Sequence, residues 1–336
     1  MTHIYNDILE VLKLFENERN TREESLKRNS SFRSELYRTI LFPNSEKFLP
    51  VEWTDGTIYL IPGNQSLNLY RGQVQDYPTC LPKIYRDNPT DIDLFAARLR
   101  QIEFEIVLEE HPSVKDIVND GVHVSFTGLA QHYGLATNYL DLTSDPYVAA
   151  FFAVCEYSES EQRYSPVGGK DKPGVLMKTL SLIYTDPLNI KKFRPIGLQP
   201  FPRPGSQKAY SVSLDKGESF PSHKILFWHS KEASQYIYDL FQGGEKLFPP
   251  DPIKRKADEI ANAVVFSQQS IDEISSRYSF LHEPNFYVEQ LNFEISDTCN
   301  SGFTSDELNQ FKEEWEKIGK RTFYNQIGPT RLTYTG

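Results

Sequence analysis

The stretch GLAQHYGLATNYLDLTSDPYVAAFFA, residues 128–153, decides the reading of this chain. Its middle, TNYLDLT at 137–143, places Leu140 and Leu142 on one face and Tyr139, Asp141 and Thr143 on the other, the period of a short strand. Residues 127–133 ahead of it predict a short helix, with Gly134 just past its end where a left-handed cap is expected. Behind it, Asp145 can cap and Pro146 can open a helix through about Tyr157. The turns of that helix (Val148, Ala149, Phe151, Phe152, Val154) are apolar all round, so it is expected to be buried. The strand therefore delivers Thr143, Ser144 and Asp145 to a helix N-terminus. Free backbone N–H groups and the positive dipole end there favour an anion such as a nucleotide phosphate. Thr143 and Ser144 add hydroxyl donors, and Asp145 reads as the cap.

Asp141 lies on the polar face of a short interior strand and needs partners, an Arg or a set of N–H groups; it serves either as an anchor or as a site group. His132 reads either as a satisfied hydrogen-bonding residue or as part of a site with Thr137 and Asp141. With no second His at ligand spacing, no metal is expected. Upstream, TIYLI at 57–61, the turn PGNQ at 62–65 and LNLYRGQ at 67–73 predict two strands around a Pro-Gly turn. Within the second, Arg71 ends the strand with a planar fork suited to phosphate or carboxylate. Gly72 beside it lets backbone or ligand approach closely.

Outside these stretches the pattern predicts helices over 4–20, 22–41 (broken by Pro43 and Asn44) and 91–110. Residues 157–174 read as a polar loop and 174–184 as a strand. The proline-rich 195–205 reads as irregular, 208–214 and 224–229 as strands, and 231–281 as helical. FYVEQLNFEI at 286–295 reads as a strand, and 305–319 as a helix capped by Ser305 and stopped by Gly319. The expected organisation is a helical arm over 1–50, a core over 51–230, a helical insertion over 231–285 and a strand–helix over 286–336 that completes the core. The class is α+β.

With 336 residues, 39% of them hydrophobic, a sizeable core can form. A net charge of −10 argues against charge-driven duplex DNA binding, yet leaves room for a local basic pocket around one nucleotide. Cys80, Cys155 and Cys299 have no paired spacing, so neither a disulfide framework nor a structural zinc site is expected. No apolar run approaches the roughly 18 residues of a membrane span, and the N-terminus does not read as a signal peptide. The expected address is the cytoplasm, with no membrane partner.

At Tyr70-Arg71-Gly72 and the 128–153 run, the chain resembles the FRG domain family, named for its aromatic-Arg-Gly motif. CLPKIYRDN at 80–88 resembles the family's Leu-Pro-x-aromatic-Arg segment, and PRPGSQKAYSV at 202–212 its Arg-x-x-x-Gln segment. The resemblance covers about 60–215. Asn138-Tyr139 stands where the family usually has a basic residue, and Ala209 where it has glycine. A weaker similarity runs to ADP-ribosyltransferases of the Arg–Ser–Glu kind. It implies a mixed, split β-sheet core in which Tyr70, Arg71, Gly72, Thr137, Thr143 and Ser144 bind NAD. Catalysis would then fall to Arg71, His132, Asp141 and Gln207. In that scheme Arg71 grips the NAD phosphates or the nicotinamide ribose, and Thr143 and Ser144 line the nicotinamide side.

The scheme also needs a Glu on a later strand. No Glu-x-Glu or Gln-x-Glu falls on an expected strand after position 153. Gln207 is the best positional match, but an amide supplies no negative charge to an oxocarbenium ion. Glu218 and Glu289 are fallbacks, and Asp141 can substitute. The resemblance thus implies an NAD-binding ADP-ribosyltransferase-like or NAD-cleaving effector of defence or toxin type. The alternatives are a non-catalytic nucleotide-sensing or RNA-binding module, or an RNA-directed enzyme using His132, Tyr133 and Arg71.

Overall fold

The computed structural model describes residues 3–28, 47–63, 68–169, 171–180, 193–220, 222–278, 281, 283–329 and 331–333. In chain order the elements are β1 (Ile4–Tyr5), α1 (Ile8–Arg28), β2 (Phe48–Glu52), β3 (Ile58–Pro62), β4 (Asn68–Gln73), α2 (Asp91–Glu109), α3 (Pro112–Asn119), α4 (Phe126–His132), β5 (Tyr139–Thr143), α5 (Pro146–Val154), β6 (Cys155–Ser158), β7 (Arg163–Pro166) and β8 (Gly174–Leu180). There follow β9 (Phe193–Pro195), α6 (Pro202–Ser206), β10 (Ala209–Ser213), β11 (His223–Phe227), α7 (Lys231–Leu240), α8 (Pro252–Ala261), β12 (Val265–Ser267), α9 (Gln268–Arg277), α10 (Pro284–Gln290), β13 (Glu294–Ser296), α11 (Ser305–Glu314), α12 (Lys320–Asn325) and β14 (Leu332–Thr333). The class is α+β, as expected, and no helix among the described residues is long and apolar enough to cross a membrane.

The main sheet has the order β1-β11-β8-β4-β5-β10-β9. Leu69, Leu140, Leu142, Val175 and Val212 fill one of its faces. Tyr70, Leu176, Ile225 and Phe227 project from the other, onto α1 and α5. Helix α5 is buried as its composition requires: Val148, Ala149, Phe151 and Val154 are at most 2% exposed. Burying each of the larger side chains contributes about 1.5–3 kcal/mol. The helix lies so close to β4 that a Cβ on Gly72 would stand 1.8 Å from the carbonyl oxygen of Ala149. The glycine of the aromatic-Arg-Gly motif is there to admit a helix backbone.

The two strands expected on either side of Pro62-Gly63 exist but do not pair with each other. β3 joins β2 and β14 in a separate three-stranded sheet. The reason is core membership: Leu60 packs with Phe104 and Leu129 in one cluster, whereas Leu69 and Tyr70 feed the two faces of the main sheet.

Other expectations need correction. The first helix runs unbroken from Ile8 to Arg28 rather than ending near residue 20, and the remainder of the helix expected over 22–41 lies outside the described residues. Residues 157–174 are not simply a loop. β6 and β7 form a hairpin, held where the Tyr157 and Tyr164 rings meet at 5.0 Å. The proline-rich segment contains one helical turn, α6, because Pro202 occupies a first position where its missing N–H costs nothing. FYVEQL at 286–291 is helical although its residues favour strands, since Tyr287, Val288 and Leu291 pack against Phe95 and Leu99 of α2. Thr304, not Ser305, caps α11, with Glu307 completing a capping box. The helix does not stop at Gly319: a π turn over Trp315–Gly319 carries it into α12. That bulge keeps Trp315 inward, where its indole donates to Asp116 at 2.9 Å. The segment 231–281 is largely helical, as expected, through α7, α8 and α9.

Candidate functional site

The site begins where the main sheet splits. β5 pairs with β10 along its whole length and β4 pairs with β8 along its own, but β4 and β5 meet only at Tyr70 opposite Thr143. Beyond that pair the strands part, and the carbonyl of Asp141 finds no strand partner on the β4 side. Arg71 fills the gap: its Nη1 donates to the Asp141 carbonyl oxygen at 2.9 Å. A guanidinium thus does the work of a missing ladder bond, as a buried carbonyl requires.

The split opens into a cleft of about 630 Å³. One wall is the loop from Tyr77 to Asp87; the other is α5, through Val148, Ala149 and Phe152, continued by Glu156 and Tyr157 of β6. Gln207 lines its base. The loop wall is tied to the α4–β5 turn. Lys83 Nζ donates to the Gly134 carbonyl at 2.8 Å, and Ile84 N–H donates to the Thr137 carbonyl at 3.3 Å. Gly134 has the left-handed φ of +97° expected of a helix end, which turns the chain into β5.

The Asp141 carboxylate is set by a short relay. Gln131 Nε2 donates to its Oδ2 at 3.1 Å, and Gln131 Oε1 accepts from Thr137 Oγ1 at 2.6 Å. Thr137 is fully buried behind this relay and does not line the cleft, so its place is that of a support for Gln131 and Asp141. The other carboxylate oxygen, Oδ1, has no hydrogen-bond partner and faces His132 Nε2, also without one, at 3.9 Å. The His132 side chain is 2% exposed against 38% for Asp141. Burial holds the imidazole below its ordinary range, opposed by the Asp141 charge and a hydrogen bond with the Gln207 side chain. His132 therefore sits neutral behind Asp141 rather than in the cleft.

The remaining sequence-predicted residues separate. Thr143 Oγ1 donates to the Gln207 carbonyl at 2.8 Å and accepts from Asp145 N–H at 3.0 Å, so its hydroxyl is committed to the fold. The helix N-terminus already holds a carboxylate: Asp145 accepts from Tyr147 N–H at 2.9 Å and pairs with Lys208 at 2.7 Å. The anion seat expected at Thr143–Pro146 is thus taken by the chain's own cap. Ser144 faces a different, smaller cavity between α5 and α1, beside Arg19 and Lys208. Tyr70 packs on Phe15 of α1, ring centroids 5.0 Å apart. The Gln207 amide donates to the Leu247 carbonyl at 3.0 Å.

Arg86 lines the same cleft as Arg71; the sequence placed it in the family-like Leu-Pro-x-aromatic-Arg segment without giving it a site role. Its signal was the Tyr-Arg-Asp-Asn run. Asp87 and Asn88 have φ of 59° and 53°, a left-handed pair that Asp and Asn tolerate better than most residues. Arg86 Nε donates to the Leu81 carbonyl at 3.2 Å. Packing around its guanidinium, and then the charge of Arg71, lower its pKa. Glu156, on β6, is a strand carboxylate after position 153 that stands in no Glu-x-Glu pattern and lines the cleft, whereas Glu218 and Glu289 do not. Cys155, also in the wall, is pushed up to about 12 by burial and remains a thiol.

No curated protein and no solved structure matches the chain. A family model does match, over residues 66–162, a span that includes β4, the Arg86 loop, β5 and α5, and so most of the cleft. The matching model is that of the FRG domain, and the match is confined to residues 66–162.

Proposed function

We propose that the cleft is a nucleotide site, with NAD as the leading candidate, at which the bond between nicotinamide and ribose is broken. ADP-ribose then passes to water or to an acceptor, as in an ADP-ribosyltransferase-like effector of defence or toxin type. The observation that carries this reading is the Asp141 carboxylate, held at the open split of the sheet beside Arg71 and aimed by Gln131. Such a carboxylate offers the negative charge that an oxocarbenium-like ribose needs and that Gln207 cannot provide. Nicotinamide departs with the bonding electron pair. A water adds to the ribose carbon, and its proton goes to Asp141. Neutral His132, behind Asp141, keeps the second oxygen from being neutralised by a buried cation. Arg71 holds a phosphate through the N–H groups that its bond to Asp141 leaves over.

The test is to incubate the full chain with NAD and follow nicotinamide release. Wild type is expected to turn over, with Arg71→Ala and Asp141→Asn each at least about a hundredfold slower. Unaltered turnover in Asp141→Asn would sink the assignment of the charge. A second reading is a nucleotide sensor without chemistry. Support for it comes from Arg71 and Arg86, which can hold a ligand unaided, and from the exposure of the other cleft carboxylates, Asp87 and Glu156. Tight binding of NAD with no nicotinamide release decides for the sensor.

A further inference from the structure

We infer that Arg71 and Arg86 form a two-guanidinium clamp for a diphosphate, so that the cleft selects dinucleotides or nucleoside diphosphates over nucleoside monophosphates. The inference rests on the reading of the cleft as a nucleotide site, and it adds the ligand class and a residue.

The two side chains line one cleft, near enough for Arg71 to depress the pKa of Arg86. Elsewhere in the molecule basic groups find carboxylates: Lys178 with Glu18, Lys208 with Asp145, Lys224 with Asp76 and Arg277 with Glu105. Among the described residues neither Arg71 nor Arg86 forms an ion pair, and each is pinned through a single N–H to a backbone carbonyl. A carbonyl orients a guanidinium without cancelling its charge. Arg86 is held through Nε, which leaves both terminal nitrogens for a forked contact with phosphate oxygens. Arg71 is held through Nη1, leaving Nη2 and an Nε that has no partner.

Two like charges facing one cleft are costly until an anion lies between them. A single phosphate can answer one fork. A diphosphate offers separate oxygens to two. The carboxylates Asp87, Asp141 and Glu156 also line the cleft, and the Asp141 charge raises the Arg86 pKa, so the guanidiniums share the cleft with negative charge without pairing to it. Arg86 is not free to swing away. The left-handed pair Asp87-Asn88 follows it, and the Lys83 and Ile84 contacts to Gly134 and Thr137 precede it. An aromatic wall of Tyr77, Phe152 and Tyr157 lies alongside and suits the base of a nucleotide.

Isothermal titration of the full chain with ADP, AMP, ADP-ribose, NAD and inorganic pyrophosphate tests the clamp. The proteins compared are wild type, Arg86→Ala and Arg86→Lys. Wild type is expected to bind ADP at least about tenfold more tightly than AMP. Arg86→Ala should weaken ADP, ADP-ribose and NAD by about tenfold or more, leave AMP within about threefold, and reduce the salt dependence of ADP binding. Arg86→Lys should fall between, because an ammonium keeps the charge and loses the fork. Arg86 is exposed, so the variants should fold; if Arg86→Ala does not, the ADP-to-AMP ratio in Arg86→Lys serves the same purpose. An ADP-to-AMP ratio unchanged by the substitution overturns the clamp, as does equal binding of ADP and AMP by wild type. ADP-ribose and NAD binding above ADP assigns a dinucleotide, and the reverse order a nucleoside diphosphate; both support the clamp. Arg86-dependent ADP selectivity without nicotinamide release keeps the clamp and removes the NAD-cleaving reading. Nicotinamide release with unchanged NAD affinity in Arg86→Ala does the opposite.

Discussion

At the scale of residues, the candidate site is a set of polar atoms distinguished by what they lack. Asp141 Oδ1, His132 Nε2 and Arg71 Nε are among the buried side-chain atoms without hydrogen-bond partners, and these three gather at the split of the sheet. Because Asp141 is 38% exposed and Asn keeps an oxygen for Gln131, Asp141→Asn should cost stability no more than about 1 kcal/mol. Nicotinamide release and thermal melting, measured on the same preparation, check this: the variant should melt near wild type yet be inactive. Loss of several kcal/mol would make the residue an anchor of the fold instead. Sequence alone picked out Asp141 because a carboxylate on the polar face of a short interior strand needs partners, and Arg71 because it ends a strand beside glycine in the aromatic-Arg-Gly motif. It gave Arg86 no site role, although its segment resembled a family motif, because that residue lies in a loop, where neither the helical nor the strand period marks a side chain's direction. It named Asp145 as the cap yet also offered that helix N-terminus to a ligand, and no linear pattern shows that Lys208, far away in the chain, pairs with the cap.

At the scale of elements, the cleft depends on how closely α5 is pressed onto β4. Gly72→Ala sets a methyl 1.8 Å from the Ala149 carbonyl oxygen and 2.7 Å from the Ala153 nitrogen, both backbone atoms that cannot rotate aside. The helix must move, at a cost of about 1–3 kcal/mol or more, and the wall containing Val148 and Phe152 moves with it. Urea unfolding should show the loss, and nucleotide affinity should fall in step although no ligand contact has been deleted. A Gly72→Ala protein of wild-type stability would contradict the packing described here. Helices 91–109 and 126–132 and strand 139–143 were legible because their period is strong and local. The strand expected over 286–295 was not, because the residues β geometry favours there are used to pack a helix on α2. Nor could the pairing of β3 be read from its neighbour across a turn, for its partner β2, which β14 joins from the other side, is set by which core each side chain enters.

At the scale of the whole molecule, two imidazoles outside the site govern the response to acid. His111, enclosed by Phe201, Phe303 and Phe311, is held down to about 4 by burial. His123, against Tyr59, is held to about 4 by burial and then by the charge of Arg194. Folded values below the ordinary 6.5 or so mean that the unfolded chain takes up protons the folded one refuses. Their contribution is fully present above pH 6.5 and is lost as pH falls toward 4, at up to about 1.4 kcal/mol per pH unit for each. Unfolding free energies measured at pH 7 and pH 5 should therefore differ by a few kcal/mol, and His111→Gln should flatten the dependence; equal values at the two pH values would refute it. The three-stranded sheet has a different kind of consequence. Leu332 pairs with Val51, and Phe48 exchanges backbone hydrogen bonds with Gln326 and Gly328. During synthesis, at roughly 5–20 residues per second, β2 and β3 must wait tens of seconds for the strand that completes them. Through that interval the edge of β2 that β14 later covers stands open, and edge-to-edge association is the hazard of this topology.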